Sequence, residues 1–578
     1  YKNHNQGIYH QGNTNDWKLF FYIILRNGSF IRHREIIYHY LPYLLKRTLL
    51  CTQRKYQYNV NMILVSEIKL GLHEDEKILK KLLIKKLNIK ESDLISYKIH
   101  KKSIDARKEA IYKVQLLAEV KNEQRYLKLK NVSLYKPVDT KACAIKSDIR
   151  PIIVGYGPSG IFATYRLVEA GLKPIVIEKG KRIKDRAKDV EHFFKTGELD
   201  VNSNVQFGEG GAGTFSDAKL TTRIKDPFIE YILDVFVKFG ADESIKYTPH
   251  SHIGTDNIRI IIEKITDYLI EKGATFYFEE QLEELLLDDN HKVTGIKTNK
   301  QSITSPICLL AIGHSSYETI KNLDKQGVHI SAKDMAIGFR VEHPQSLIDE
   351  NQGGDGIHAC EYFLRYKDTK GVYSFCMCPG GMVIPASSDK ERIVTNGMSY
   401  AARNSGIANS AILIQVNKEE FSGTNPGTNL GGFEYLRHYE QKAYEISNSY
   451  KAPACNIKDY INNELNDLNF ESSYPLGTTL YNFNNFFKEE DNKIFKKALL
   501  FFDTKIKGFV DKGIMVGPET RSSCPVRIDR DINLESINTS GLYPSGEGAG
   551  YGGGIMSCAL DGIRCANKIL ENITHNSL

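Results

Sequence analysis

The glycines between Ile152 and Glu178 have a spacing suited to binding phosphate. Gly155, Gly157 and Gly160 form a G-x-G-x-x-G run between an apolar, strand-like stretch and a helical stretch. In this arrangement the first glycine permits a tight turn, the second lets a pyrophosphate approach the main chain, and the third lets helix and strand pack closely. Since amides at a helix start attract phosphate, the segment predicts a dinucleotide site.

Three neighbouring residues add to this prediction. Pro158 suits the first turn of the helix, where a missing N–H costs little, and Ser159 follows it. Glu178 ends the next apolar run and has the position of the acid that accepts hydrogen bonds from an adenosine ribose. A purely structural βαβ unit is the alternative, but the flanking strand and helix patterns favour binding.

Two further glycine-rich stretches lie far from the first. The stretch Phe207–Ser216 lacks the strand, helix and acid of another βαβ unit, so we expect a loop that allows close approach to a ligand. The stretch Gly541–Ser557 reads as a short strand and a glycine turn, followed by a helix to about Glu571. Gly155–Gly160, Phe207–Ser216 and Gly541–Ser557 are called the first, second and third glycine segments below.

Several phrases of the sequence carry a family resemblance. At them the chain resembles FAD-binding oxidoreductases of the glutathione-reductase-like fold, and more narrowly the bacterial family described as uncharacterised FAD-dependent dehydrogenases. The resemblance extends over most of the chain from about Met62, and Ala218 stands where the family phrase is expected to have glycine. The phrases are Gly208–Leu220, Ser374–Gly381, Asn396–Tyr400, Gly517–Ile528 and Ser545–Ser557.

The resemblance implies that the chain binds FAD. The first glycine segment and Glu178 would hold the ADP half, and the other two segments would line the pyrophosphate, ribityl and flavin end, with Glu547 as a hydrogen-bonding side chain there. The cofactor-binding residues predicted in this way are Gly155, Gly157, Pro158, Ser159, Gly160, Glu178, Lys179, Gly210, Gly211, Ala212, Gly213, Thr214, Gly313, Gly546, Glu547, Gly553, Gly554 and Ile555.

Two cysteines are candidates for redox chemistry. Cys376 and Cys378 end a predicted strand and precede a turn, where they would face the flavin as a redox pair or a nucleophile. The alternative is packing, because one intervening residue strains a disulfide and a cysteine in an apolar run is usually buried.

Arginines and histidines supply the remaining catalytic candidates. Arg340, Arg521 and Arg527 lie on segments expected to border the space between domains, where a guanidinium group suits a substrate carboxylate or phosphate. An interdomain ion pair is the competing interpretation. His252 and His314 would transfer protons near the flavin, because imidazole titrates near neutral pH, unless each simply satisfies a turn.

The predicted function follows from one complete Rossmann unit and the absence of a second such fingerprint in the sequence. This pattern disfavours a reductase that binds two dinucleotides. Together with the resemblance, it implies an FAD-dependent oxidoreductase that transfers hydride between the flavin and an unidentified small substrate or NAD(P)H, the latter as a candidate transient reductant. A second hypothesis is a flavin-bearing RNA-binding or RNA-modifying protein that uses a basic N-terminal module. A third, NAD(P) binding without flavin, is disfavoured by the second and third glycine segments.

Composition sets broader limits. With 578 residues, of which 41% are hydrophobic, the chain should form two or three domains, and its net charge of +7 is mild. Its ten cysteines show no C-x-x-C spacing and no plausible set of metal ligands, which predicts reduced thiols in a cytoplasmic protein. The sequence contains no apolar run of transmembrane length.

The predicted architecture is α/β. It comprises an FAD-binding Rossmann-type domain of the glutathione-reductase-like type, an inserted α+β substrate domain, and a small N-terminal α+β, ferredoxin-like module. The FAD-binding domain is expected in two parts, 148–330 and 513–574, with the inserted domain at 331–512 and its more helical part at Ser410–Phe509. The N-terminal module is expected at 62–135, and the acid-poor stretch 1–61 is interpreted as a leader or an extension of the gene model.

Overall fold

The computed structural model describes residues 62–105, 111–353, 359–424 and 428–576. The predicted leader or extension, 1–61, lies outside the described residues. The strands are β1 (Met62–Gly71), β2 (Leu94–Asp105), β3 (Ile111–Val120), β4 (Val132–Leu134), β5 (Ile152–Val154), β6 (Ile175–Glu178), β7 (Thr275–Phe278), β8 (Leu282–Leu287), β9 (Val293–Thr298), β10 (Ser302–Thr304), β11 (Cys308–Leu310), β12 (Ile330–Ala332), β13 (Met335–Pro344), β14 (Arg365–Lys367), β15 (Gly371–Cys378), β16 (Met382–Pro385), β17 (Thr395–Met398), β18 (Ile407–Val416), β19 (Ala452–Asn456), β20 (Thr478–Leu480), β21 (Ile514–Glu519), β22 (Val526–Ile528) and β23 (Leu542–Pro544). The α-helices are α1 (Leu79–Leu87), α2 (Pro158–Glu169), α3 (Ile183–Thr196), α4 (Phe228–Lys238), α5 (Thr255–Glu271), α6 (Tyr317–Lys325), α7 (Gln345–Gln352), α8 (Gly431–Ser447), α9 (Ile457–Asn462), α10 (Glu489–Asp503) and α11 (Ile555–Asn576).

The N-terminal module is a four-stranded antiparallel sheet with one α-helix. Its strand order is β2-β3-β1-β4, and Leu79, Leu83 and Leu87 of α1 are buried in the same core cluster as side chains of β1 and β3. Order and directions are those of a split βαβ unit. The second crossover differs, because it contains only the short 3-10 turn Glu123–Arg125 where such units have a helix.

A parallel sheet forms the centre of the nucleotide-binding part. Its order is β23-β11-β5-β6-β7, and every neighbouring pair is parallel. Ile153 of β5 packs in a cluster with side chains of α2, α5 and α11, whereas Ile152 and Val154 pack in a cluster with β8, β9 and α6. Because both faces are covered, the strand reads as a continuous apolar run.

A seven-stranded sheet forms the second large body, with the order β14-β15-β18-β13-β21-β19-β20. All its pairs are antiparallel except β19 and β20. Side chains of α8 and α10 share its main core cluster with Phe339 and Ile412.

The second sheet departs from the sequence expectation in two places. Ser410 was expected to begin a more helical part, yet β18 runs from Ile407 to Val416 and lies in the middle of the sheet. The run from Ala411 to Ile414 is buried throughout, so it lacks the alternation that distinguishes a strand. Likewise β21, which follows the expected boundary at 512, pairs with β13 and β19, and only β23 of the later strands returns to the parallel sheet.

Candidate functional site

The three glycine segments meet around one cavity of about 390 Å³. Residues at or just beyond the carboxyl ends of β5, β6, β11 and β23 line it, which is where open parallel sheets bind their ligands. Phe375, Cys376, Asn396 and Glu519, from β15, β17 and β21, line it as well. These four residues are called the β wall below, and the three glycine segments are called the glycine wall.

The glycines of the first segment differ in what requires them. Gly155 has a φ of +93°, and a Cβ there would lie 2.3 Å from the carbonyl oxygen of Ala311. A Cβ on Gly160 would lie 2.0 Å from the carbonyl oxygen of Gly155. At Gly157, by contrast, the nearest atom to a Cβ would be Gly211 Cα at 3.7 Å. The protein itself therefore needs glycine at 155 and 160, whereas at 157 the small residue leaves space open beside the N-terminus of α2.

The second segment is held by a buried arginine. Arg186 donates to the carbonyl oxygens of Glu209 at 2.6 Å, Asn204 at 2.9 Å and Gly211 at 2.9 Å. Burial lowers the pKa of its guanidinium to about 10. Gly211, with a φ of +63°, then lies so close to the first segment that a Cβ would be 2.7 Å from Gly157 Cα. Arg186 fixes this loop, and it was not among the residues predicted from the sequence.

The third segment is anchored by a carboxylate. Asp561 on α11 accepts from the amide of Gly546 at 2.8 Å and pairs with Arg530 at 2.6 Å. Gly553 and Gly554 line the cavity, and a Cβ on either would meet no atom of the described residues within 4 Å. This main chain is therefore held from behind and open towards the cavity. Asp561 and Arg530 were not among the residues predicted from the sequence.

Glu178 joins two of these segments. Its Oε2 accepts from the amide of Tyr156 at 2.8 Å, and its Oε1 accepts from the amides of Gly180 and Gly208, each at 2.9 Å. A carboxylate has about four acceptor positions, so one position on Oε2 is left for a ribose hydroxyl. The acid therefore stabilises the loop and also lines the cavity.

Most of the predicted cofactor residues line the cavity, and a few have other roles. Lys179 lines it beside Phe207, with its ammonium 4.0 Å from the ring centre, and burial lowers its pKa. The predicted residues that do line the cavity are Gly155, Gly157, Pro158, Ser159, Glu178, Lys179, Gly211, Ala212, Gly213, Gly313, Glu547, Gly553, Gly554 and Ile555. Those that do not are Gly160, Gly210, Thr214 and Gly546, and they shape the backbone around it.

The two candidate histidines are in different places. His314 lines the cavity, and its Nδ1 lies 3.4 Å from Oε1 of Glu547. Its Nε2 is buried and has no hydrogen-bond partner within the described part of the chain. His252 lies away from the cavity and contacts the carbonyl oxygen of Ala401 at 3.1 Å, so it satisfies the main chain. Burial lowers its pKa.

The candidate arginines are already bound to protein groups. Arg521 lines the cavity but donates to Glu440 at 2.9 and 3.0 Å and to Asp389 at 2.8 Å. Arg527 lies beside the ring of Tyr551, 5.2 Å from its centre, and does not line the cavity. The ion-pair interpretation therefore describes Arg521, and neither side chain presents a free guanidinium to the cavity.

Arg340 lies buried behind the β wall. It donates to Glu519 at 2.6 Å, to Asn409 at 2.9 Å and to the carbonyl oxygen of Cys376 at 2.6 Å. Gly397 leaves room for it, because a Cβ there would lie 2.3 Å from its Nη2. Arg340 thus contacts residues that line the cavity without lining it itself.

Of the two candidate cysteines, one lines the cavity. Cys376 is part of the β wall, whereas Cys378 is buried behind it. Ala218, expected to be glycine in the family phrase, also lines the cavity and has a φ of +50°, in the left-handed region that favours glycine.

Two kinds of feature are absent from the described residues. No helix among them has both the length and the apolarity that a bilayer span needs. Residues 62–105, 111–353, 359–424 and 428–576 also contain no group of three or more His, Cys, Asp or Glu side chains arranged to bind a metal ion.

Comparisons with solved structures give only distant likenesses. A mutant of the halogenase PltM in complex with FAD is 10% identical, covers 74% of this chain and 71% of that one, and has a TM-score of 0.36. A geranylgeranyl bacteriochlorophyll reductase-like protein from Thermoplasma acidophilum is 13% identical, covers 74% of this chain and 79% of that one, and has a TM-score of 0.32. Glycine oxidase from Bacillus cereus is 10% identical, covers 74% of this chain and 96% of that one, and has a TM-score of 0.28. Likenesses with such low TM-scores carry no functional argument.

Sequence comparisons are more specific. Residues 334–522 match the family described as FAD-dependent protein, C-terminal domain-like, and residues 62–121 match a domain of unknown function, DUF8436. An uncharacterized protein of Clostridium beijerinckii is 42% identical over 531 residues, which are 88% of this chain and 98% of the relative. The chain therefore belongs to the same family as this clostridial protein, and its residues 334–522 form a domain of the FAD-dependent protein C-terminal type.

Proposed function

We propose that the protein is an FAD-dependent oxidoreductase whose flavin occupies the cavity between the glycine wall and the β wall. The observation that carries the proposal is the convergence of three distant glycine segments on one cavity, with main chain open to it at Gly157, Gly553 and Gly554. Side chains at these positions would occupy ligand space without colliding with the protein, which is what a binding site for an extended cofactor requires.

Particular residues suit particular parts of FAD. The amide of Ser159 lies in the first turn of α2, which provides no intrahelical acceptor for it, so it would hold the pyrophosphate. Glu178 has an acceptor position left for the adenosine ribose. Gly553 and Gly554 would lie against the ribityl and flavin end, with Glu547 supplying hydrogen bonds there.

The bound flavin would supply hydride chemistry. The protein would provide orientation, exclusion of water and a proton-carrying group. Glu547 lies beside Nδ1 of His314 and would favour a proton on that nitrogen, so that Nε2 is left to accept a proton from a ligand. We propose His314 as a proton-transfer residue because its unpartnered Nε2 belongs to a side chain that lines the cavity.

The proposal names the electron donor and the substrate by chemical class. The substrate is a small molecule that reaches the β wall, and NAD(P)H is a candidate reductant that would approach from the same side. The described residues contain one five-stranded parallel sheet, and the cavity at its edge accounts for one dinucleotide. A nicotinamide nucleotide would therefore have to share the substrate side of the cavity.

The first experiment is spectroscopic. Purified full-length protein should show flavin absorbance, and denaturation should release FAD. Anaerobic addition of NADH, NADPH or small amino, hydroxy and unsaturated acids should then bleach the absorbance with at least one compound. A colourless protein that takes up no added FAD would overturn the proposal.

A matched pair of variants tests the site itself. Gly157→Val should give apo-protein, because its branched side chain would point into the space beside the α2 N-terminus. Gly423→Val is the control, since a Cβ on Gly423 would meet no atom of the described residues within 4 Å and Gly423 does not line the cavity. Full flavin content in both variants would show that the cavity has been misassigned.

RNA binding by the N-terminal module stays a prediction that no structural observation favours. Several of its lysines are engaged locally: Lys80 pairs with Glu91 at 2.6 Å, and Lys86 donates to the carbonyl oxygen of Glu67 at 3.0 Å. Salt-sensitive RNA binding that disappears on deletion of 62–135 would revive this alternative.

A further inference from the structure

The β wall contains a backbone irregularity at Cys376. In the pairing of β15 with β18, Phe375 lies opposite Ala411 and Cys378 opposite Asn409, so two residues of β15 face one residue of β18. This is a β-bulge, a feature that redirects side chains. Cys376 has a φ of +43°, in the left-handed region where a residue with a side chain is strained. The bulge brings Cys376 to the cavity surface.

Polar groups fix this strained residue from behind. The carbonyl oxygen of Cys376 accepts from Nη2 of Arg340 at 2.6 Å and from the Cys378 thiol at 3.3 Å. Lys219 donates to the carbonyl oxygen of the intervening Met377. Two cationic side chains therefore hold the main chain of the bulge.

The charges around the sulfur come from several elements. Arg340 on β13 and Lys219 before α4 are the cations, while Glu519 on β21 opposes them and is itself paired with Arg340. Lys219 also pairs with Glu361 at 3.1 Å and lies 3.6 Å from Asp217. The adjacent Cys378 thiol, together with the charges of Arg340 and Lys219, lowers the pKa of the Cys376 thiol to about 7, against the opposing effects of burial and Glu519.

A second cavity thiol shows that this environment is local. Cys558, on the first turns of α11, also lines the cavity, yet burial raises its pKa to about 12. Cys378 likewise has a raised pKa, because its proton is held in the hydrogen bond to Cys376 and its surroundings are dry. Of these three thiols, Cys376 alone combines a place at the cavity surface with a lowered pKa.

Its position within the cavity indicates what the sulfur faces. In the proposed binding mode the ADP half lies at Glu178 and the α2 N-terminus, so the isoalloxazine ring is the part left for the β wall. His314, whose Nε2 is buried without a partner in the described residues, lines the same cavity as Cys376. The ligand and the strained cysteine therefore share one space.

We propose that Cys376 carries a reactive thiolate that lies against the flavin on the β wall, with Arg340 and Cys378 as its positioning residues. The inference rests on the proposed FAD site. It places a reactive side chain beside the flavin, and it gives the strained conformation of Cys376 a chemical role.

The test on FAD-loaded protein is an absorption spectrum recorded as a function of pH. A thiolate in contact with oxidised flavin should add an absorption band on the long-wavelength side of the flavin spectrum, with a midpoint near neutral pH. Cys376→Ser should abolish the band, and Cys143→Ser, at an exposed cysteine, should leave it unchanged. A flavin-loaded protein without the band from about pH 6 to about pH 9, or with the band intact in Cys376→Ser, would overturn the proposal.

Cys376→Gly separates the chemical role from a packing role. Glycine relieves the left-handed strain, so this variant should be at least as stable as the parent in denaturant titrations while lacking the band. Marked destabilisation would indicate that the side chain is there to pack, contrary to the proposal.

Alkylation distinguishes failure of the thiolate from failure of the flavin site. Iodoacetamide labelling of Cys376, followed by peptide mass spectrometry, should reach half its maximal rate near neutral pH in protein with or without flavin, and Lys219→Met should move that midpoint upward. Rapid labelling at neutral pH in a protein that binds no FAD would contradict the proposed FAD site but would still support a thiolate at Cys376. Labelling that appears only in alkaline solution would contradict the proposal of a thiolate at Cys376.

Discussion

The two walls of the cavity present different chemical groups to a ligand. The glycine wall presents mostly main chain, and the side chains that hold it in place, such as Arg186 and Asp561, lie behind it. The β wall presents side chains, and its shape depends on one buried guanidinium, that of Arg340. In the proposed function, the glycine wall would bind the pyrophosphate of the cofactor, whereas the β wall would determine which substrate reacts.

The contrast also separates two kinds of fragility. A main-chain surface fails when a side chain is added, and a surface of paired charges fails when a partner is removed. Variants at the two walls should therefore differ in whether they lose the cofactor, the fold or both.

The largest effect is expected from breaking the ion pair behind the β wall. Arg340→Met would leave Glu519 and the carbonyl oxygen of Cys376 buried without their partner, at a cost of about 3–5 kcal/mol in the free energy of unfolding. Arg564→Met removes the same kind of group from the exposed pair with Asp226 and should cost less than about 1 kcal/mol. Equal costs in urea titrations of the two variants would refute the difference in burial.

The stability of the body built on the seven-stranded sheet should depend on pH through His343 of β13. Burial lowers the pKa of His343 to about 4 from an ordinary value of 6.5, so its contribution to stability is complete above pH 6.5. As pH falls, the unfolded chain binds a proton that the folded chain does not, and up to about 3 kcal/mol is lost by the folded-state value. His343→Gln should flatten the dependence of unfolding free energy on pH in that interval, and an unchanged slope would contradict this origin.

Alanine substitutions at two glycines of the first segment should separate effects on stability from effects on FAD binding. Gly160→Ala forces a Cβ against the carbonyl oxygen of Gly155. This variant should lose about 1–3 kcal/mol of unfolding free energy and should also bind less flavin. Gly157→Ala should weaken FAD binding but cost less than about 1 kcal/mol of unfolding free energy in the apo-protein. Thermal unfolding of flavin-free samples compares them, and similar losses for both would remove the distinction.

The smallest effect is expected at the acid that ties the first two glycine segments. Glu178→Gln replaces one acceptor oxygen with donors that face backbone amides, so about 1–2 kcal/mol should be lost from stability. FAD affinity measured by fluorescence titration should fall as well. Unchanged affinity would mean that the carboxylate serves the loop alone.

The glycine wall was largely predictable because its requirements are local. A G-x-G-x-x-G run followed by Glu178 encodes a turn, an anion site and a ribose contact within one continuous stretch. Gly160 and Gly210 were also singled out, although the structure uses them to bring backbones together and not to line the cavity. The glycine signal alone cannot distinguish these two uses.

The β wall was much less predictable. Arg340 and Cys376 were both candidates, but their contact joins positions 36 residues apart, and the bulge that exposes Cys376 depends on pairing with β18. The pairing was hidden because β18 lacks alternation and was expected among helices. Arg186 and Asp561 escaped notice for a similar reason, since each acts on main chain that is distant in sequence.

The most direct test of the convergence of the three glycine segments is a crystal structure of the protein with FAD. We expect phosphate oxygens about 3 Å from the amide of Ser159, with the flavin ring between the third glycine segment and Cys376. FAD bound elsewhere on the molecule, or a pyrophosphate distant from the N-terminus of α2, would contradict the account.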